Sequence, residues 1–494
     1  MTVTSLLFFL FTAAAALIYH KLPQKWRNPW LLLVSAGFVA SYSWQFVLVL
    51  AFFTLINYWI GLKMQHVPAR MQAWSYAGIV FNLLFLFVLK YNNFYLPAFS
   101  RLLNQIGLMA SDDTIRIVVP IGLSFLMVQA ISYILDLRNN RLQAETDLVK
   151  FSVYLFYFPK LVSGPIERAR AFLPKLDRPL PIDKSLLDRS LALILAGLFR
   201  KLAFADPLFN LIPSDAFTSP ANYPGQNLVF YLLAYSFALY NDFAGYTSIV
   251  RGVSLWFGIE LSPNFNLPYL SRNFTEFWSR WHITLSNWLR DYIYFPLSRA
   301  IARKAPKYNR ALNLILPPLV TMMVSGMWHG LTWGMLVWGF LHGLYQIIER
   351  LPSLKGSVTP LNERSKWRQA LGTGLTFIFA SVAWLPFKTT PPQAWLFLQK
   401  MFAWHKPDFW GLKMTLLGKA DFTSWNVFLL PNPILLGVLV LAVVFDWLQL
   451  KGKGDDFLSH WPRAAVIVFI VVLLLLAVLA GFSDQVAPFV YQSF

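Results

Sequence analysis

The chain has 494 residues, of which 57% are hydrophobic, 17% aromatic and only 13% charged. Soluble globular domains average about 25% charged residues, so a chain this long and this apolar is predicted to be a polytopic membrane protein. The absence of cysteine excludes a disulfide framework, cysteine-ligated zinc and thiol catalysis. The net charge of +19 is typical of Lys and Arg kept in cytoplasmic loops, so we expect the lipid bilayer as a partner and no nucleic acid.

The N-terminal part of the chain consists of successive apolar segments. Residues 1–20 lack a basic n-region, which predicts an uncleaved first span with its N-terminus outside. Residues 30–62 carry no charge, which predicts two short spans or a re-entrant pair. Further spans are predicted at about 76–89 and 117–135.

A broken segment follows these spans. Residues 151–163 are too few to cross a bilayer and include Pro159 and Lys160, which favours a re-entrant or interfacial element. The charged stretch 166–190 is predicted to be a cytoplasmic loop, and a helix is predicted at about 187–204.

Charge distribution predicts the orientation of the next part. Residues 202–250 contain no Lys or Arg, so their polar loop should lie outside the cytoplasm. The span predicted at 228–250 includes Asp242, which needs a partner at that depth. Arg251 or a histidine of another helix would serve, either in a functional site or in an ion pair that holds helices in register.

Residues 251–310 are basic, with nine Lys or Arg against three acids by direct count. Aromatic and leucine residues at helical spacing in 274–292 predict one amphipathic helix at the cytoplasmic interface, which carries His282. Basic residues here, such as Arg290, could hold the phosphates of a nucleotide-bearing donor or contact anionic lipid heads.

The stretch 311–348 contains two histidines, His329 and His342, but no Lys, Arg, Asp or Glu. One helix of that length would be roughly 57 Å long, well beyond a hydrocarbon core of about 30 Å, so we expect it to break at a proline or glycine. The candidates are Pro317, Pro318, Gly326, Gly330 and Gly334. A histidine at such a break is a candidate functional residue or a packed structural ring.

The C-terminal part is predicted to add spans at about 370–387, 433–449 and 464–482. A loop at 388–431 separates the first two, and the basic loop 451–463 is placed inside, with the C-terminus outside. The predicted fold is therefore an all-α helical bundle of about ten to twelve membrane helices, some short or re-entrant. We expect one domain over 1–494.

The residues permit a limited chemistry. The sequence has no GxSxG, Walker, HExxH or dinucleotide-binding motif, and its histidines lack metal-ligand spacing, so no metal site or bound cofactor is expected. A histidine in a dry, aromatic-lined site suits removal of a proton from a hydroxyl that attacks an activated acyl group. Acyl transfer is favoured, with a polysaccharide or lipid transporter and a non-catalytic scaffold as alternatives.

Several motifs in order resemble those of the membrane-bound O-acyltransferase family. The strongest are Phe277-Trp-Ser-Arg-Trp-His282, Leu289-Arg-Asp-Tyr292 and Met327-Trp-His-Gly330. Supporting matches are Asp242-Phe-Ala-Gly-Tyr246, Asn264-Phe-Asn266 and Ser163-Gly-Pro-Ile-Glu-Arg168. The chain is similar to the bacterial branch that contains the alginate O-acetylation membrane protein and the teichoic-acid D-alanyl transferase. The motif-bearing core is about 90–349, with additional spans in 1–89 and 368–482.

The resemblance implies the roles of particular residues. His329 matches the catalytic histidine, at the floor of a central funnel or tunnel, and His282 matches a second histidine of the site. The C-terminal tail resembles tails in which a tyrosine, here Tyr491, accepts the acyl group. The remaining residues expected to support the site or bind substrate are Trp328, Ser325, Asp242, Asn287, Arg290, Asp291 and His342.

The resemblance also implies a reaction and its setting. We expect an acyl group, acetyl in preference to D-alanyl, to pass from a cytoplasmic donor across the bacterial inner membrane to hydroxyls of an exported polysaccharide. Acetyl-CoA or an acyl carrier protein thioester is the expected donor. An exported SGNH-type acetyltransferase is the expected partner.

Overall fold

The computed structural model describes residues 1–107, 119–352, 365–403, 433–452 and 454–481. The regular structure in these ranges is helical, with no strand among them, which confirms the all-α prediction. Helices are expected for a chain in lipid because they satisfy their backbone hydrogen bonds within one segment. The described chain forms two compact units, one containing Met1–Ile194 and Ile249–Pro263 and the other Leu195–Ser248 and Asn264–Val490. The single domain expected over 1–494 stays a prediction.

The first unit contains the N-terminal helices. In chain order they are α1 Leu6–Lys21, α2 Gln24–Ala40, α3 Trp44–His66, α4 Met71–Lys90, α5 Asn92–Gln105, α6 Leu123–Arg138, α7 Leu148–Phe156, α8 Phe158–Leu161 and α9 Ala169–Asp177. The charge-free stretch 30–62 does form two helices, and the predicted re-entrant segment is broken at Tyr157. The loop predicted at 166–190 is wrong, because α9 and the start of the next helix lie in it.

Helix α10, Lys184–Phe199, runs from the first unit into the second and continues as a π-helix, Arg200–Ala205. The helices of the second unit are α11 Asp206–Asn210, α12 Gly225–Leu255 (which ends in the first unit), α13 Phe274–Arg280, α14 Ile283–Leu289, α15 Phe295–Lys304, α16 Asn309–His329, α17 Trp333–Arg350, α18 Lys366–Lys388, α19 Pro391–Lys400, α20 Pro433–Lys451 and α21 Arg463–Gly481.

Five helical segments of the described chain are long and apolar enough to cross a membrane. They are Trp44–His66, Pro68–Lys90, Pro306–His329, Lys366–Lys388 and Ile434–Lys451, and two shorter apolar segments are Leu6–Lys21 and Arg463–Val472. A multi-pass membrane protein is therefore confirmed. The number of membrane helices, expected to be ten to twelve, stays a prediction, because shorter and more polar helices are not included in these five.

The helix predicted over 274–292 is wrong as a single element. The chain is interrupted between α13 and α14, where His282 adopts a left-handed conformation with φ of 41°. After α14 it continues as a π-helix, Arg290–Tyr294. Left-handed backbone is uncommon for residues other than glycine, so the helical periodicity of the sequence could not indicate this break.

The stretch 311–348 breaks at Gly330, and its two halves form a helical hairpin of α16 and α17. Pro317 and Pro318 do not break the helix, since both lie inside α16. Glycines on both helices, Gly326 and Gly339, face the backbone of the other helix. Small residues allow helices in a membrane to approach closely, which explains the tight packing of this hairpin.

Candidate active site

His329 is the last residue of α16, and its side chain is only 5% exposed. Three aromatic rings surround the imidazole: its centroid lies 4.8 Å from Trp328, 5.3 Å from Trp338 and 5.3 Å from Phe387. The ring is therefore buried among aromatic side chains at the end of the helix.

His282 is linked to His329 by one aromatic side chain, since the rings of both histidines contact Trp328. Its ring contacts Phe243 at 4.9 Å and Trp328 at 6.2 Å between centroids. It is 1% exposed, and burial lowers the pKa of its imidazole, which lies outside the candidate membrane-spanning helices. A neutral imidazole is the form that can accept a proton. The two histidines thus share Trp328 as a neighbour.

His342 is closer to His329 than its place in the sequence indicates. Because α17 folds back along α16, Trp338 contacts His342 at 4.9 Å on one side and His329 at 5.3 Å on the other. His342 is fully buried, and neither ring nitrogen has a hydrogen-bond partner in the described part of the chain. Trp278 of α13 also contacts it, at 5.0 Å.

A cavity of about 380 Å³ lies beside these rings in the second unit. Two predicted residues, Asn287 and Arg290, line it, and Arg350 adds a second cation. The other lining residues are Thr275, Trp278, Ser279, Ser286, Leu289, Tyr294, Phe295, Thr321, Met322 and Gln346. Asp291 does not line this cavity, and its carboxylate lies 3.4 Å from Nε of Arg290. The cavity can therefore hold a ligand with anionic and polar groups.

Two routes of side chains connect the cavity with His329. On α16, Thr321 lines the cavity, and Ser325 and His329 follow at intervals of four residues, which places all three on one helix face. On the facing side, the indole of Trp278 lines the cavity and contacts Trp338 edge to face at 5.8 Å. Trp338 in turn contacts His329, so ring contacts connect the lining of the cavity to the histidine, which does not itself line the cavity.

The structure describes a partner of Asp242 that the sequence did not predict. The Nζ of Lys201, on the π-helix, lies 2.8 Å from the carboxylate of Asp242 and 2.8 Å from that of Asp206. Arg251 donates from Nε to the carbonyl oxygen of Leu261. All three members of the Lys201 group are buried, so these contacts favour a structural ion pair that links α12 to the π-helix.

Trp278, Trp338 and Arg350 were not among the residues predicted from the sequence. A weak signal was present for Trp338, because Trp338, His342 and Gln346 recur at intervals of four residues on one face of α17. Tyr491, the predicted acyl acceptor, lies outside the described residues. The arrangement combines a buried imidazole, a hydroxyl, an indole N–H and a basic cavity, which suits transfer between an anionic donor and a hydroxyl.

Comparison with known proteins agrees with this geometry. The sequence profile of MBOAT, the membrane-bound O-acyltransferase family, matches residues 29–382. A probable alginate O-acetylase from Pseudomonas aeruginosa is 32% identical over 439 residues, which are 88% of this chain and 79% of the relative. A peptidoglycan O-acetyltransferase from Helicobacter pylori is 28% identical over 78% of this chain and 76% of the relative. A teichoic acid D-alanyltransferase from Streptococcus thermophilus is 30% identical over 54% of this chain and 68% of the relative.

The chain is a multi-pass membrane enzyme of the acyltransferase class. It belongs to the membrane-bound O-acyltransferase family, and its activity is O-acyl transfer. This membership confirms the resemblance carried by the sequence motifs and favours an enzyme over the transporter that the sequence left open.

Proposed function

We propose that the chain transfers an acetyl group from a thioester donor on the cytoplasmic side to a hydroxyl group of an exported polysaccharide, at the inner membrane of a bacterium. The observation that carries the proposal is the basic cavity lined by Arg290 and Arg350, which a single pair of indole contacts connects to His329. Guanidinium groups are suited to phosphates, which coenzyme A carries.

In the proposed reaction, His329 acts as the general base. Its imidazole removes the proton of the acceptor hydroxyl as the oxygen attacks the acyl carbon, and a histidine is suited to this because its ordinary pKa lies near the working pH. The surrounding rings of Trp328, Trp338 and Phe387 exclude bulk water, which limits hydrolysis of the thioester. His282, the second histidine of the proposed site, contacts Trp328, the same ring that contacts His329.

The proposed donor is acetyl-CoA or an acyl carrier protein thioester. Arg290, Arg350 and Asn287 would contact its phosphates and amides, while the aromatic side of the cavity, formed by Trp278 and Tyr294, would contact its apolar parts. The donor side is assigned to the cytoplasm because the surrounding residues, 251–310, are strongly basic.

The acceptor hydroxyl is proposed to enter from the side of the membrane away from the cytoplasm. The turn of the hairpin that carries His329 packs on the end of α18, because a Cβ at Gly334 would lie 2.9 Å from the carbonyl oxygen of Thr389. The next helix, α19, reaches the loop before α12, where Gln393 donates to the carbonyl oxygen of Thr218. That loop belongs to the part of the chain without Lys or Arg, which supports its placement outside the cytoplasm.

Acetyl transfer is proposed in preference to D-alanyl transfer. The relatives that match most of the chain are named as acetylating enzymes, whereas the teichoic acid D-alanyltransferase matches 54% of it. An exported SGNH-type acetyltransferase is the proposed partner that completes the modification of the polymer, and alginate-like polysaccharides are the proposed acceptor class.

The test uses the full chain in its own host and in purified form. His329→Ala should abolish O-acetylation of the exported polymer and the transfer of label from acetyl-CoA by the purified chain, while the amount of protein in the membrane is unchanged. His66→Ala is the matched control, because His66 is an exposed histidine of α3 whose ring contacts only a carbonyl oxygen of its own helix among the hydrogen bonds described.

Three outcomes decide between the alternatives. Normal acetylation by the His329→Ala variant at a normal protein level would overturn the role of this histidine. Label accepted from an alanyl donor but not from acetyl-CoA would overturn the proposed acyl group. Polymer that no longer reaches the cell surface would indicate transport instead of transfer.

A further inference from the structure

We infer that two side chains beside His329, the hydroxyl of Ser325 and the indole N–H of Trp338, stabilise the oxyanion that forms during acyl transfer. The inference rests on the proposed function, since it assigns donors for the charge that the reaction of His329 creates. It adds Trp338 to the site and gives Ser325 a defined role.

Ser325 lies one helical turn before His329 on α16. Residues four apart on a helix are neighbours, with about 5–6 Å between their Cβ atoms, so the two side chains lie on the same face. Ser325 is completely buried, and its Oγ has no hydrogen-bond partner among the residues that the structure describes. A serine inside a helix commonly donates to a carbonyl oxygen of the preceding turn, but no such bond is formed here.

Trp338 faces His329 from the other helix of the hairpin. The two rings are nearly perpendicular, at 85°, with centroids 5.3 Å apart. Trp338 is 1% exposed, and its Nε1 has no acceptor in the described ranges. Buried tryptophan N–H groups usually find an acceptor. The neighbouring Trp384 follows that rule, because its Nε1 lies 3.3 Å from the hydroxyl of Tyr269.

Two buried donors without acceptors, both next to the candidate base, need an explanation. Leaving such a group unsatisfied destabilises the folded state, so native structures keep few of them. The cost is offset when a substrate atom accepts the bonds during the reaction. Donors fixed around the point where charge develops are among the largest contributors to catalysis of acyl transfer.

The chemical step balances with these groups. The acceptor oxygen forms a bond to the thioester carbon, its proton passes to His329, and the carbonyl electron pair moves onto the carbonyl oxygen. Ser325 and Trp338 donate hydrogen bonds to that oxyanion. As the carbonyl re-forms, the carbon–sulfur bond breaks, and the thiolate leaves with the electron pair and takes the proton from His329. The products are an ester and a thiol.

The experiment measures acetyl transfer by the purified chain with acetyl-CoA, for Ser325→Ala and Trp338→Phe. Trp338→Phe keeps an aromatic ring and removes the N–H. Each variant should lower kcat about 10²-fold or more, as for loss of one oxyanion donor, with little change in the KM for the donor. The unfolding midpoint should hardly change for Ser325→Ala, because Ser325 forms no hydrogen bond in the described part of the chain that folding would lose. Trp338→Phe should lower the midpoint only by the packing lost with the smaller ring.

Trp384→Phe is the matched control. This indole is also buried and is stacked on Trp338 at 6.0 Å between centroids, but its N–H already has an acceptor. We expect this variant to lower the unfolding midpoint and to retain kcat. A loss of kcat for Trp384→Phe as large as that for Trp338→Phe would show that Trp338 acts only in packing.

The possible failures are distinguishable. If the wild-type chain transfers no acetyl group, the proposed function fails. If the wild-type chain is active while Trp338→Phe and Ser325→Ala keep a normal kcat, the oxyanion assignment is overturned and the proposed function stands. A raised KM with a normal kcat would also overturn the assignment, since it would indicate donor binding in the ground state.

Discussion

The backbone of Gly326 lies so close to Met335 that a Cβ added at the glycine would be 2.3 Å from the Met335 carbonyl oxygen. This approach sets the distance between α16 and α17, and therefore the position of His329 on one helix relative to Trp338 on the other. The geometry of the candidate site thus depends on the absence of a side chain at Gly326.

Gly326→Ala should separate the two helices and misplace His329. Overpacking of this kind costs typically 1–3 kcal/mol, and a shift of about 1 Å in a reacting group can lower activity about 10²-fold. The measurements are kcat for acetyl transfer and the thermal unfolding midpoint. Gly374→Ala is the control in α18, because nothing lies within 4 Å of the added Cβ. Alanine favours helix more than glycine does, so this control should be neutral or slightly stabilising. Equal behaviour of the two variants would contradict the role of the close approach.

Replacing the cations of the cavity should weaken donor binding. Arg290→Gln and Arg350→Gln should each raise the KM for acetyl-CoA by about 10- to 100-fold, since a hydrogen bond to a charged group contributes about 1.5–3 kcal/mol. The kcat should change little, because neither residue contacts the rings around His329 among the ring contacts described. The comparison substrate is a truncated acetyl thioester without phosphates, for which both variants should behave as wild type.

Arg299→Gln provides a matched control for these two variants. Arg299 is an exposed arginine of α15 that does not line the cavity. A similar rise in KM for this variant would show that the effect comes from general surface charge and not from the cavity.

Removing the cation shared by Asp206 and Asp242 should destabilise the second unit. Lys201→Met leaves both carboxylates without the ammonium group that lies 2.8 Å from each, and breaking a buried ion pair typically costs about 3–5 kcal/mol. The amount of folded protein in the membrane and its unfolding midpoint should fall. The triple variant that also carries Asp206→Asn and Asp242→Asn should recover part of the loss. A stable but inactive Lys201→Met variant would instead favour a direct role in the reaction.

Glu276 should make stability depend on pH. Although burial alone raises the pKa of its carboxyl, hydrogen bonds from Arg272 and Arg280 lower the pKa below its ordinary value of 4.5. The stabilisation is therefore present above about pH 4.5 and is lost as the pH falls through the lower folded-state pKa. Glu276→Gln should cost about 1 kcal/mol at pH 7, and the difference from wild type should shrink on acidification. Unfolding midpoints from pH 7 to pH 3 measure this, and a constant difference would contradict it.

The sequence determined the class of this protein and the elements of its site. Apolar runs predict membrane helices because a bilayer requires satisfied backbone groups, and that requirement acts on each segment by itself. The break in 311–348 was predictable in the same way, from length and from the presence of glycine. Motif order indicated the acyltransferase family, which the match over residues 29–382 confirms. His329 was singled out from local sequence as well.

The tertiary structure decided which of these residues meet. His342 lies thirteen positions beyond His329, yet the indole of Trp338 contacts both rings, because the chain turns back at Gly330. Lys201 was not predicted as the partner of Asp242, since the pairing depends on how two helices face each other. The break at His282 requires a left-handed residue that helical periodicity does not indicate. Hydropathy and motifs are local properties, whereas the cavity, the shared indole and the buried ion pairs arise from contacts between distant segments.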